Sequence, residues 1–168
     1  FEGFAKSVGL QYETVVVVDL SQATELVKNN EVDLIACIAT DSALSYKNSI
    51  RLSLPYFHSY AIRTYSTDHN DTEEQVLDFN MDTEEALDTV LSEDNCCSWM
   101  DGYSLNYYLR KEVVYDNIVT DWADAKEFSY AVAVTNTLPN ASKMVSLLNQ
   151  FASSISDQDI QARLSTYL

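Results

Sequence analysis

Residues 11–39 have the sequence QYETVVVVDLSQATELVKNNEVDLIACIA, and this stretch decides the fold that the sequence predicts. Its first part, residues 11–18, contains four consecutive valines, which is typical of a strand covered on both faces. Asp19 or Ser21 then caps a helix of about ten residues, and Val32 to Ala39 forms a second buried strand. Strand, helix and strand in this order predict a βαβ unit, in which a right-handed crossover joins two parallel strands.

A second unit of this kind follows in the middle of the chain. Residues 76–79 predict a short strand, Asp82 or Thr83 caps the next helix, and residues 96–100 predict another strand. Residues 128–135 alternate and are β-branched, which predicts a strand that returns to the first unit. We therefore expect an α/β fold of two lobes, each a small, mostly parallel sheet flanked by helices, with a cleft between them. Lobe 1 would comprise residues 1–60 and 130–168, and lobe 2 residues 61–129.

The charge of the chain is strongly acidic and unevenly distributed. Ten lysines and arginines stand against 26 aspartates and glutamates, which gives a net charge of −16. Such a field repels a phosphate backbone, so we expect no nucleic-acid partner. Between Thr64 and Leu109 there are twelve acidic residues and no lysine or arginine. This acidic part of lobe 2 either attracts cations through its field or is a solvated surface.

Counts of glycine and histidine exclude several enzyme classes. The chain has three glycines, so it contains neither a Walker A loop nor a GxGxxG dinucleotide-binding loop. His58 and His69 are its two histidines, which excludes HExxH zinc sites, and no GxSxG motif is present. No apolar run reaches the ~18–20 residues of a membrane span. We therefore expect no catalytic residue, no metal and no cofactor.

The cysteines leave the redox compartment undecided. Cys37, Cys96 and Cys97 have no CxxC spacing, which excludes a zinc knuckle and a thioredoxin-type motif. Cys37 lies in an apolar run and is expected to be a buried, small hydrophobic residue. Cys96 and Cys97 are expected to be reduced strand residues, with a strained vicinal disulfide as the alternative.

Five short motifs occur in an order that resembles a known family. LVKNNEVDLI at residues 26–35 and LSLPYF at residues 52–57 are similar to the pattern L-x-x-G-x-V-D-L-I followed by F-S-x-P-Y-F. TEEAL at residues 83–87, WMD at residues 99–101 and YAVAV at residues 130–134 resemble later stretches of that pattern. In this order the motifs resemble the family 3 extracellular solute-binding proteins, which are Venus-flytrap modules that bind polar amino acids. The same module occurs as the sensor region of bacterial membrane receptors.

The resemblance implies that a small polar solute binds in the cleft and that the lobes close around it. Asp101 matches the aspartate that holds the ammonium group of an amino-acid ligand. Tyr46 stands where the family has an arginine for the ligand carboxylate, and Lys47 is its basic neighbour. The loop that lines the cleft would contribute Thr40, Asp41 and Ser42. Because a phenol cannot form the bidentate pair of an arginine, this departure favours an amine or another ligand without an α-carboxylate.

The same residues also fit structural roles. Asp101 can cap the helix that follows it, Tyr46 can be a partly buried aromatic residue, and residues 40–42 can form an Asx turn.

Two elements of the family pattern are not found in this sequence. The first strand of lobe 1 would precede Phe1, and a strand and loop of lobe 2 would follow Tyr65, where residues 66–75 stand.

The hypothesis that follows is a non-enzymatic, extracytoplasmic sensor domain, periplasmic or at the cell surface and attached to a membrane through flanking segments. Its ligand would be an amino acid or amine-like solute, and its neighbours a tandem sensor domain or an output domain. A first alternative is the substrate-binding component of an amino-acid or amine importer, and its partner would be the permease of that importer. A second is a dehydratase-like enzyme of this fold, with a cleft carboxylate as general acid. A third is a lobe pair that only transmits signals.

Overall fold

The structure is a computed structural model that describes residues 1–68, 75–77, 81–111 and 115–165. In chain order the elements are α1 (Glu2–Val8), α2 (Leu20–Lys28), β1 (Leu34–Ala39), α3 (Thr40–Ala43), a 3₁₀ turn (Leu44–Tyr46), β2 (Ile50–Leu52), β3 (Phe57–Ser66), β4 (Gln75–Val76), α4 (Thr83–Ser92), β5 (Cys96–Asp101), α5 (Gly102–Lys111), β6 (Ile118–Thr135), α6 (Ala141–Ala152) and α7 (Asp157–Leu164). The chain divides into two compact units. Unit 1 contains Phe1–His58 and Ser129–Ala162, and unit 2 contains Ser59–Phe128 and Arg163–Leu168.

Unit 1 is built around the second half of β6. This part of β6 pairs antiparallel with β1, from Leu34 opposite Val134 to Ala39 opposite Tyr130. It also pairs antiparallel with β2, where Arg51 lies opposite the same Val134. β6 is therefore the central strand of this sheet, with β1 and β2 on its two sides.

The alternation of β6 creates a hydrophobic core on each face of the unit 1 sheet. Val132 and Val134 point to one face, where they pack with Phe4 of α1 and Leu148 of α6. The residue between them, Ala133, belongs to the core on the other face. That second core also contains Val27 of α2, Ile38 of β1, Ala43 of α3 and Ile50 of β2. The period of two in a strand thus sends neighbouring residues into separate helix layers.

Unit 2 contains the parallel pair that the sequence predicts. β4 pairs parallel with β5, and α4 connects the two strands. Asp82 caps α4 by accepting hydrogen bonds from the backbone N–H groups of Glu84 and Glu85. On its other side β5 pairs antiparallel with β3. The core of the unit includes Ile62, Leu87, Val90, Met100 and Leu105, all nearly fully buried.

The predicted strand over residues 11–18 is wrong, and with it the first βαβ unit. These residues have no helical or strand structure, and Val16 is 87% exposed. The helix and the second strand that the motif predicts do form, as α2 with Asp19 as its cap and as β1. A strand needs a partner, and the valine run has none among the described residues. Both strand pairs of unit 1 are consequently antiparallel, whereas the expected fold had mostly parallel sheets.

The cysteines differ from expectation at one position. Cys37 is exposed, because the register of β1 against β6 shifts between Ile35 and Ile38 and the residues within this bulge turn outward. Cys96 and Cys97 are buried and not joined in a disulfide, as the sequence predicts for reduced strand residues. The expected strand at residues 76–79 appears as β4, and residues 78–79 lie outside the described residues.

Candidate functional site

Asp101, the candidate ligand residue of lobe 2, is the last residue of β5 and directly precedes α5. Its Oδ1 accepts hydrogen bonds from the backbone N–H of Tyr103 at 3.1 Å and of Ser104 at 2.8 Å. Its Oδ2 accepts a short hydrogen bond from the hydroxyl of Ser59. The carboxylate therefore lies at the positive end of the α5 dipole and acts as the cap of this helix.

Capping does not use the whole acceptor capacity of Asp101. A carboxylate has about four lone-pair sites, and the three hydrogen bonds occupy three of them. Sequence analysis did not identify Ser59, which is fully buried in β3. The register explains this contact, because Ala61 lies opposite Asp101 and Ser59, two residues before Ala61, lies on the same face of β3.

Gly102 allows a close approach of other chain segments to the start of α5. A Cβ atom at this position would lie 3.3 Å from the carbonyl oxygen of Tyr60, 3.4 Å from Cγ1 of Ile62 and 3.5 Å from Cη2 of Trp122. Tyr60 and Trp122 remain about half exposed as whole residues, at 48% and 51%. The backbone of β3 and the partly exposed ring of Trp122 therefore border the start of the helix that Asp101 caps.

The candidate loop residues of lobe 1 belong to a short helix. Thr40, Asp41 and Ser42 form α3 together with Ala43, directly after β1. Ala43 anchors this turn in the core of unit 1, whereas Asp41 is exposed. Thr40 and Ser42 are half-buried. The cap position of this helix is Ala39, so no side chain caps α3.

Tyr46 and Lys47 differ in their surroundings. Tyr46 ends the 3₁₀ turn and is half-buried against the core around Val27 and Ile50. Nζ of Lys28 in α2 lies 5.4 Å from the centroid of the Tyr46 ring, which is a cation–π distance. Lys47 is exposed. Thr40 to Lys47 thus form one continuous stretch of unit 1, and Asp101 belongs to unit 2.

Tyr56 makes a contact that sequence analysis did not identify. Its hydroxyl donates a hydrogen bond to the carbonyl oxygen of Ala36 in the β1 bulge, at 3.1 Å. Burial raises the pKa of Tyr56 well above its usual value, and the neighbouring Cys37 and Tyr130 raise it further. No local pattern in the sequence connects the Pro55-Tyr56 segment with this bulge. The contact depends on the pairing of strands that lie far apart in the chain.

Comparison with solved structures gives the fold. The periplasmic VFT2 domain of BvgS from Bordetella pertussis matches 99% of this chain and 80% of its own length, with a TM-score of 0.80 and 16% identity. The GluR0 ligand-binding core from Nostoc punctiforme, in complex with L-glutamate, matches 99% of this chain and 87% of its own length (TM-score 0.73, 16% identity). An ancestral arginine-binding protein bound to glutamine matches with a TM-score of 0.71 and 14% identity, over 99% of this chain and 84% of its own length.

The chain has the two-lobed fold of the periplasmic-binding-protein-like domains. This confirms the fold class that the order of motifs predicts. Neither a comparison of the sequence with protein-family models nor a search of curated proteins finds a match. The periplasmic-binding-protein-like fold is therefore recognisable here by structure, at sequence identities that carry no family assignment.

Two strands of this periplasmic-binding-protein-like chain pass from one unit to the other. β3 leaves unit 1 after His58, and β6 enters it at Ser129. On the unit 1 side of this crossing, Oγ of Ser129 and Nδ1 of His58 lie 2.9 Å apart and share a hydrogen bond. The ring of Phe57 stacks on that of Tyr130, with centroids 6.0 Å apart. These two pairs bind the crossing strands to each other within unit 1.

The described part of the chain offers no group of three or more His, Cys, Asp or Glu side chains arranged to hold a metal ion. Within the same residues, no helix is both long enough and apolar enough to cross a membrane.

Proposed function

We propose that the chain is a non-catalytic, extracytoplasmic domain that binds a small polar solute and passes this event to a membrane-attached output domain. The observation that carries the proposal is the fold. It matches a periplasmic domain of BvgS along 99% of the chain. Two further proteins with this fold are described with a bound amino acid.

Residues 1–60 and 130–168 act as one lobe and residues 61–129 as the other. A solute that contacts both lobes favours the closed state by those contacts that only this state makes. The crossing strands β3 and β6 take up the movement, as the connecting segments do in hinge closure. Ligand binding is thereby converted into a displacement that a neighbouring domain can detect.

Asp101 supplies the negative charge for the ligand. Its carboxylate is held in place by Ser59 and by the α5 amides, and it retains about one lone-pair site for an ammonium hydrogen. Tyr46 and Lys47 face the ligand from the other lobe. Further contacts come from Thr40, Asp41 and Ser42. Because Tyr46 stands where a carboxylate-binding arginine would be, the ligand class is an amine or an amino-acid derivative without a free α-carboxylate.

Thermal unfolding in the presence of amino acids, polyamines and organic acids tests the proposal. A ligand at 100 times its Kd stabilises the folded state by about 2.7 kcal/mol. Asp101→Asn keeps an acceptor for the helix amides and removes the charge, so the response to amines should be lost. Asp82→Asn, which makes the same change at the cap of α4, is the matched control and should respond like the unchanged chain. A panel without any stabilising compound contradicts the proposal.

The importer component is the second candidate. The match to an ancestral arginine-binding protein favours it, since that protein shares the fold along 99% of the chain. Affinity purification of the intact protein from membranes separates the two roles. A permease that co-purifies supports the importer, and an output domain on the same polypeptide supports the sensor.

A further inference from the structure

Asp101 can accept one more hydrogen bond, and this limits the kind of ammonium group that it can hold. Of the about four lone-pair sites of its carboxylate, three are taken by the hydroxyl of Ser59 and the backbone N–H groups of Tyr103 and Ser104. A primary ammonium group brings three N–H donors, and each donor that is buried without an acceptor costs free energy. A trimethylammonium group has no N–H donor, so it needs the negative charge of Asp101 but none of its lone pairs.

The ring of Trp122 lies beside the residue that follows Asp101. Its Cη2 atom would be 3.5 Å from a Cβ atom at Gly102, and the Cα of Gly102 lies about 3.8 Å from that of Asp101 across one peptide bond. Trp122 is half exposed and Asp101 is partly buried. An aromatic ring and a carboxylate therefore lie together at the start of α5, within unit 2.

The ring of Trp122 is also not covered by a cation of the protein itself. Lysine or arginine side chains lie over the rings of several other aromatic residues, namely Tyr46, Tyr65, Trp99, Tyr107 and Tyr108. Among the residues that the structure describes, none lies over the ring of Trp122. Tryptophan is the aromatic side chain that attracts cations most strongly, so this ring is available to the cation of a ligand.

We propose that Asp101 and Trp122 form a subsite for an N-methylated ammonium group, which narrows the ligand class to quaternary and other N-methylated amines. The inference rests on the proposed function, because it takes Asp101 as the residue that meets the ligand. The carboxylate supplies the charge, and the Trp122 ring contacts the methyl groups over which the positive charge is spread. Since the positive end of the α5 dipole disfavours a cation, binding depends on the charge of Asp101.

Ligand pairs that differ only in N-methylation test the inference with the full chain. The pairs are choline with ethanolamine and tetramethylammonium with ammonium, measured by isothermal titration calorimetry at constant ionic strength. General attraction of cations to a chain of net charge −16 is then the same for both members of a pair. We expect choline to bind about tenfold more tightly than ethanolamine, because the cation–π contact replaces hydrogen bonds that Asp101 cannot accept.

Two outcomes overturn the inference, and they differ in what they mean for the proposed function. If ethanolamine binds within about threefold of choline or more tightly, the subsite does not select methyl groups, although the proposed function stands. If neither methylated compound binds, the inference also fails. The proposed function fails with it only when the amines of the wider solute panel do not bind either.

Variants assign the preference to the ring. Trp122→Leu keeps an apolar side chain and removes the aromatic face, so choline should bind about tenfold more weakly while the affinity for ethanolamine is unchanged. Trp122→Phe keeps an aromatic ring and should retain an intermediate preference. Tyr107→Leu, the matched control, removes another exposed aromatic ring of unit 2 and should bind both compounds like the unchanged chain.

The ratio of the two affinities separates a contact with the ligand from a structural role of Trp122. A variant with a damaged fold would bind choline and ethanolamine more weakly by the same factor, which leaves the ratio unchanged. Asp101→Asn should abolish the binding of both compounds, because it removes the charge that each of them needs. A Trp122→Leu chain that keeps the full preference for choline overturns the inference.

Discussion

The hydroxyl of Ser59 donates a hydrogen bond to Oδ2 of Asp101, although 42 residues separate the two in the sequence. Ser59 is the first residue of unit 2, and Asp101 is the last residue of β5. The bond joins the point where the chain enters unit 2 to the start of α5. The orientation of the candidate ligand carboxylate is thus set by a contact between two strands as well as by its own helix.

Asp101→Ala should lower the free energy of unfolding by about 1–3 kcal/mol, because it removes a helix cap and leaves the buried Ser59 hydroxyl without its acceptor. Asp101→Asn keeps an acceptor and should lose less. Urea denaturation measures both changes. The control is Asp82→Ala, which removes an exposed cap and should cost about 1 kcal/mol. Equal losses for the two alanine variants would argue against a contribution of the Ser59 bond.

Gly102→Ala should destabilise unit 2 by about 1–2 kcal/mol, because the new methyl group would lie 3.3 Å from a backbone oxygen that cannot turn away. Gly3→Ala is the matched substitution. There the methyl group meets the end of the Phe151 ring at 3.3 Å, and alanine favours helix α1 by up to about 1 kcal/mol. Thermal unfolding of the two variants should shift in opposite directions. A neutral Gly102→Ala would contradict the close approach of β3 to α5.

Stability should fall at alkaline pH through Tyr56. Burial raises the pKa of Tyr56 in the folded chain above the value of about 10 for a free tyrosine. The unfolded chain then loses this proton near pH 10 while the folded chain keeps it, so the free energy of unfolding decreases as the pH rises above that value. Tyr56→Phe should lower stability by about 1 kcal/mol at pH 8 through the lost hydrogen bond to Ala36.

The same Tyr56→Phe substitution should flatten the decrease in stability between pH 9 and pH 11, measured by urea denaturation along a pH series. The exposed Tyr12 provides the control, since Tyr12→Phe should leave the slope of this series unchanged. If Tyr56→Phe and the unchanged chain lost stability in parallel, the burial of Tyr56 would not be the cause.

Native alkylation should modify one cysteine. Cys37 is exposed, whereas Cys96 and Cys97 are buried in β5. Mass spectrometry after a short treatment with N-ethylmaleimide should show one adduct in buffer and three adducts in concentrated denaturant. Cys37→Ser should show none in buffer. Rapid modification of Cys96 or Cys97 in the native chain would mean that β5 opens easily.

Helices and their caps were predictable because their signals are local. Asp19 and Asp82 begin α2 and α4 as their sequence positions indicate, and each accepts hydrogen bonds from amides two or three residues further on. The strand at residues 11–18 was not predictable in the same way. Its composition favours a strand, but pairing depends on a partner that a local pattern cannot show.

The same difference between local signals and long-range strand pairing applies to the residues of the candidate site. Asp101 was found through the resemblance of the WMD motif to the family pattern, and the structure has it as the cap of α5, the structural alternative that its position before a helix also allows. Ser59 and the contact between Tyr56 and the β1 bulge arise from strand pairing over long sequence separations. The Cys37 expectation failed because a bulge reverses which residues of β1 face inward, and a bulge leaves no clear mark in composition.

The central position of β6 in unit 1 also determines the order in which a ribosome can complete the fold. β1 and β2 both pair with residues 130–135, which are synthesised after all of Ser59–Phe128. The amino-terminal third of the chain must therefore remain without its middle strand while unit 2 emerges and begins to fold. Until residues 130–135 emerge, β1 and β2 expose the strand edges that β6 later covers.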